Sequence, residues 1–192
     1  MKSLAFTGHR PAQLGGYDEN NPVALRIKSK LKELILQSYE SGYRTFITGM
    51  AMGVDQWAGQ IVAEMKNTHP DVKLIAAVPF ASQSSIWYPK SKQGWLNLLM
   101  SCDEIYVIDQ QPDVSITLDD LLDLSKTPNL DAKYLVSHKL NKRNEWMVDK
   151  ADSMLAVFKQ TPGGTANCVQ YAKSKGKRIV SYNPDDEAVT IL

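Results

Sequence analysis

Short runs dense in apolar and β-branched residues alternate along this chain with longer stretches whose apolar residues recur at helical spacing. No other feature constrains the fold as strongly. Strands separated by helices rejoin a common sheet through parallel, right-handed crossovers, and such a sheet is covered by helices on both faces. The chain therefore reads as an α/β protein of Rossmann-like form, with a doubly wound, mainly parallel sheet. Six strands are expected, near Ser3 to Thr7, Arg44 to Thr48, Lys73 to Val78, Glu104 to Ile108, Met154 to Phe158 and Arg178 to Tyr182. All but the fifth end directly against Gly, Pro, Asp or Asn, as a strand buried on both faces should.

The helices follow from the intervening periods. Ile27, Leu31, Leu34 and Ile35 share one face of a long helix that Gly42 stops. Val54, Ala58, Ile61, Val62 and Met65 repeat the pattern until Asn67 and Pro70. Further helices are expected over Tyr134 to Ala151 and Ala166 to Lys175. Trp95, Leu96, Leu98 and Leu99 form either a core helix or an apolar contact in a homo-oligomer. The stretch from Gln110 to Asn129 breaks the rhythm with Pro112, Pro128 and several aspartates, and reads as a surface excursion with a short helix. Its acids match no calcium loop, so no metal site is expected. Without repeat or linker, the 192 residues read as a single domain, and a chain of this size can bury roughly 70% of its unfolded surface without a staple.

Composition narrows the function classes. Lys and Arg number 22 against 21 Asp and Glu, a net charge of +1, so a general nucleic-acid or anionic-membrane binder is not expected. The run of Lys28, Lys30 and Lys32 reads as a solvated helix face. Cys102 and Cys168 stand too far apart for a short-range zinc pair and read as inert buried thiols. The first residues offer only a three-residue apolar stretch, Leu4 to Phe6, too short for a signal-peptide core, which places the expected protein in a cytoplasm.

In an open parallel sheet, ligands bind beyond the carboxyl ends of the strands, where strand order reverses. Three segments there are unusual. After the first strand come Thr7, Gly8, His9 and Arg10; Arg can pair bidentately with phosphate, and His can donate a hydrogen bond or move a proton. After the second, Thr48, Gly49, Met50 and Gly53 open directly into a helix, where backbone amides and the helix dipole attract an anion. Asp55 in its first turn either caps that helix or holds a ribose hydroxyl or base edge. After the fifth, Gly163, Gly164 and Thr165 repeat the arrangement. None of these is a Walker loop or a GxGxxG fingerprint. Arg143 and Asn144 sit on the helix before that strand, with Arg143 either facing the ligand edge or bridging to an acid. Phe80, Gln83 and Trp87, after the third strand, either line a base pocket or seat on the core.

At these residues the chain resembles the YpsA-like family of the SLOG superfamily, whose Rossmann-like members include DprA and the LOG phosphoribohydrolases. The resemblance runs through TGHRP at 7 to 11, GMAMGVDQWA at 49 to 58, PFASQSSIW at 79 to 87, RNEWMVDKAD at 143 to 152 and the Gly163, Gly164, Thr165 turn. It implies binding of nucleotides or nucleotide-derived ligands across the strand ends. LOG enzymes cleave the N-glycosidic bond of a nucleoside monophosphate, and the resemblance implies that they use an Arg ahead of an AD segment and a Glu in a GGxGTxxE motif. Arg143 with Ala151 and Asp152 matches the first, but Cys168 falls where the Glu would align. A thiol is a poor substitute for that carboxylate.

The expectation is therefore a module that binds or senses a nucleotide or ADP-ribose-like molecule and requires no cofactor. The alternative is a LOG-like N-glycoside hydrolase with Asp55 and Arg143 as candidate catalytic residues. A lesser alternative, from the likeness of GMAMGVDQWA to the DprA loop, is single-stranded DNA binding.

Overall fold

A computed structural model describes residues 1–127 and 131–192. The elements in chain order are β1 (Lys2–Gly8), α1 (Pro22–Glu40), β2 (Tyr43–Thr48), α2 (Val54–Met65), β3 (Lys73–Val78), α3 (Pro89–Met100), β4 (Glu104–Val107), β5 (Gln111–Ile116), α4 (Leu118–Ser125), α5 (Lys133–Lys150), β6 (Ser153–Val157), α6 (Gly164–Ser174), β7 (Arg178–Tyr182) and β8 (Val189–Ile191). They form one sheet of order β5-β4-β3-β2-β1-β6-β7-β8. The six inner strands are parallel, and β5 and β8 run antiparallel at the two edges.

Period-two alternation sorts each inner strand between two apolar layers. Leu4, Phe6, Phe46, Leu74 and Val78 pack with Ile27, Leu31 and Trp57 under α1, α2 and α3. Ala5, Ile47, Ala77, Met154 and Ala156 face the other way, toward Met147 and Val148 of α5 and Val169 and Ala172 of α6. The small residues on this second face let α5 and α6 approach the sheet closely. Local signals set the helix starts: the Asn21 side chain accepts from the Ala24 amide at 2.9 Å ahead of Pro22, and Thr117 with Asp120 forms a capping box on α4.

The expectation of six strands is corrected to eight. β5 lies inside the stretch read as a surface excursion, and its sequence QPDVSI is polar and largely exposed. It is ordered by its neighbours: it folds back on β4, and the Pro112 carbonyl accepts from the Trp146 indole at 2.8 Å. An edge position also accommodates Pro112. β8 is three exposed residues paired to β7, too short to leave a periodic trace. Pro128 and Asn129, which closed the excursion in the sequence reading, lie outside the described residues.

Candidate functional site

Chain order runs outward from β1 to β4 on one side and from β6 to β7 on the other. The loops leaving β1 and β6 therefore diverge, and a cleft opens between them. It has a volume of about 240 Å³ and is lined by Thr7, Gly8, His9 and Arg10 from the β1 loop, Asp55 of α2, Arg143 and Asn144 of α5, and Gly163, Gly164 and Thr165 at the start of α6. Ten of the residues singled out in sequence thus meet in one hollow. Gln13, Ser137 and Asn141 join them. Asn141 carried a signal, since it precedes Asn144 by three positions and shares its helix face.

The floor of the cleft is a buried ion pair. Arg143 Nη1 donates to Asp55 Oδ2 at 3.1 Å and to the Gly49 carbonyl, while Arg143 Nε donates to Asn144 Oδ1 at 2.9 Å. Only 4% of Arg143 and 5% of Asp55 are exposed. The guanidinium fork is held on two of its three nitrogens, and Nη2 has no hydrogen-bond partner among the described residues. Arg143 bridges to an acid and also lines the cleft at the strand ends. Asp55 Oδ2 also accepts from the Ala51 amide at 3.4 Å, and the Asp55 backbone carbonyl accepts from the Thr48 hydroxyl at 2.7 Å.

The two glycine segments differ from each other. A Cβ on Gly49 would lie 2.5 Å from Arg143 Cζ and 2.6 Å from Asp55 Oδ2, so this glycine admits the guanidinium. Gly53, at φ +94°, admits the β1 loop: its Cβ would lie 2.7 Å from the His9 carbonyl. The Met50 amide donates to Thr48 Oγ1 at 3.2 Å, which turns it into the protein. Thr48, Gly49, Met50 and Gly53 thus support the cleft from beneath and do not line it. Gly163 and Gly164, by contrast, face open space, with nothing within 4 Å of an added Cβ. α6 has no side-chain cap, and the amides of Gly164, Thr165 and Ala166 have no hydrogen-bond partner among the described residues. This is the open helix N-terminus of the site.

Arg10 forms no ion pair among the described residues. Burial and then the nearby Arg143 guanidinium lower its pKa, with Asp55 and Tyr17 acting in the opposite direction. Its partially buried charge and the Arg143 guanidinium give the lining of the cleft a cationic character.

His9 has a different task from the one its sequence position suggests. It is 3% exposed, its Nε2 accepts from the Lys159 amide at 2.9 Å, and its Nδ1 pairs with Gln13 Oε1 at 3.0 Å. The Lys159 bond requires a neutral ring with the proton on Nδ1, so His9 ties the β1 loop to the β6 loop with both nitrogens engaged. Its pKa is lowered by burial first; Gln13 raises it, Lys159 lowers it and Asp185 raises it. The native state therefore binds fewer protons at this ring than the unfolded state. The stability it contributes is complete above the unfolded value of about 6.5 and is lost as pH falls toward the lower native value. Thermal melts between pH 7.5 and 5 should show a falling midpoint, and His9→Gln should flatten that slope; a slope unchanged by the substitution would contradict the assignment.

Phe80 and Gln83 fall outside the cleft lining. Gln83 Oε1 accepts from the Trp95 indole at 3.2 Å, and Trp95 meets Trp87 edge-on at 6.4 Å. Phe80 lies beneath Lys139, whose ammonium is 5.7 Å from the ring centroid and pairs with Asp109 at 2.8 Å. Cys168 is buried, and burial raises its pKa to about 11 despite the Thr7 hydroxyl, so it remains a thiol. Among the described residues, no group of three or more His, Cys, Asp or Glu side chains could hold a metal, and no helix is long and apolar enough to cross a membrane.

Comparison with known proteins agrees with this fold. The sequence model of the YspA SLOG family matches residues 4–117. An uncharacterized SPbeta prophage-derived protein, YoqJ of Bacillus subtilis (strain 168), is 34% identical over 169 residues, covering 86% of this chain and 92% of its own length. A UPF0398 protein of Bacillus cereus (strain B4264) is 28% identical over 184 residues, covering 95% and 88%. Among solved structures, DNA processing protein A (DprA) from Streptococcus pneumoniae superposes with a TM-score of 0.57 at 14% identity. That match covers 95% of this chain and 50% of the DprA chain, and it shows a shared fold.

Proposed function

Since the chain belongs to the YspA SLOG family, whose membership indicates nucleotide-related binding or processing, we propose that the cleft between β1 and β6 binds the phosphate of a nucleotide or ADP-ribose-like ligand. The observation that carries this reading is Arg10, a partly buried cation with no carboxylate partner among the described residues, on a cleft that also contains the open start of α6. Phosphate oxygens at that place would accept from the Arg10 fork, from Arg143 Nη2 and from the first amides of α6. Backbone amides and guanidinium groups recognise the phosphate and leave the rest of the ligand to other contacts.

The geometry favours binding over hydrolysis. The bonds to the Asp55 carboxylate from Arg143 and from the Ala51 amide both fall on Oδ2 and hold it as the anchor of the guanidinium. Cys168 supplies no carboxylate. The small cleft and the net charge of +1 offer no long basic track for single-stranded DNA.

Titration calorimetry and thermal shift with nucleoside monophosphates and ADP-ribose test the proposal, with chromatography for released base. Binding without base release is expected, and Arg10→Ala should weaken it about 10- to 100-fold, the loss expected for one or two charge-assisted hydrogen bonds. Undiminished affinity in Arg10→Ala would remove the phosphate from this cleft, and release of free base would replace the binding reading with the hydrolase.

A further inference from the structure

A second hollow of about 460 Å³ lies between α5 and α6, and it shares Asn141 and Asn144 with the phosphate cleft. Its chemistry is the complement of its neighbour's. The cleft contains two guanidinium groups; the groove is lined by the carboxamides of Asn141, Asn144, Asn167 and Gln170, with Glu145 the one charged residue among them. No cationic side chain lines it to pair with an anionic group.

We infer that this groove receives the uncharged heterocycle of a ligand whose phosphate occupies the adjoining cleft, so that the bound molecule is a nucleoside monophosphate with its base between α5 and α6. The inference rests on the phosphate reading and adds the base subsite to it.

Three observations support it. Each carboxamide offers one acceptor and two donors, the mixture needed to match a nucleobase edge of alternating ring nitrogens, N–H groups and carbonyls. The side chains of Asn141, Asn167 and Gln170 make no hydrogen bonds to described residues, so their capacity is available. Asn144 is fixed between the two hollows, accepting from Arg143 Nε at 2.9 Å and donating to the Gly164 carbonyl at 3.4 Å. That amide therefore couples the guanidinium to the start of α6 at the point where a ribose would cross.

Tyr171 supplies a flat wall that is already in place. Its hydroxyl donates to Asp149 Oδ2 at 3.1 Å, and the Lys175 ammonium is 4.9 Å from its ring centroid. A ring held in this way loses little freedom when a base stacks on it. The groove's volume also falls in the range of small-molecule sites.

The experiment compares the four common nucleoside 5′-monophosphates with ribose 5-phosphate on the wild-type protein and on Asn167→Leu/Gln170→Leu, with a melt of each unliganded protein to establish folding. At least one monophosphate should bind wild type about 10-fold or more tightly than ribose 5-phosphate, and in the double variant this preference should fall to about one. Equal affinity for ribose 5-phosphate and all four monophosphates, or a preference that survives both substitutions, would overturn the base subsite and leave the phosphate cleft standing. Failure of every phosphorylated compound to bind would overturn the phosphate reading, and this inference with it.

Discussion

In Arg143→Met the unfolding free energy should fall by about 3–5 kcal/mol, because the substitution leaves the Asp55 carboxylate buried without its cation. For a chain of this size, each kcal/mol corresponds to about 2–4 °C in midpoint, so a loss on the order of 10 °C is expected. The guanidinium also satisfies the Gly49 carbonyl and Asn144 Oδ1, and methionine replaces neither bond. Removing both charges in Asp55→Leu/Arg143→Met should recover part of the loss, since two apolar side chains leave no ion stranded. Urea unfolding of the two single variants and the double variant measures the coupling. A single-variant loss below about 1 kcal/mol, or a double variant no better than Arg143→Met, would show that the pair is not the fastening described.

The second large effect is expected at Gly53. Alanine there must adopt a φ of +94° and place its Cβ 2.7 Å from the His9 carbonyl and 3.0 Å from Pro11 Cδ. The first obstacle is backbone and cannot swing aside, so the β1 loop must move. Strain and overpacking together should cost about 2–5 kcal/mol. Gly163→Ala supplies the comparison: its φ of +142° also disfavours alanine, but its surroundings are open, so it carries strain without the collision. Equal losses in the two variants by denaturant titration would argue against close packing of the β1 loop on Gly53.

The inner sheet and its helices were legible because a strand buried on both faces must be apolar throughout. The predicted bounds of the third and last inner strands coincide with β3 and β7. β5 was illegible for the opposite reason: its residues face solvent, and hairpin return onto β4 and the Trp146 bond hold it in place. At the site, the order of motifs brought Arg10, Asp55, Arg143 and the α6 glycines to one cleft. What the sequence withheld was the purpose of Gly49 and Gly53. A glycine announces that something comes close; whether that neighbour is a ligand's phosphate, an arginine from a distant helix or a loop carbonyl is decided by tertiary packing. His9 is a similar case, since its second partner is the amide of Lys159, far away in sequence.

The Arg143 bond to Asp55 has a mechanical consequence. α5 covers one face of the sheet and α2 the other, and this side chain passes over the strand ends to join them, like a rivet through a laminate. A guest gripping the remaining nitrogen would tighten that rivet. Its imprint should therefore extend into both laminae, slowing amide exchange in the first turn of α2 as well as around Arg143, well beyond the atoms it touches.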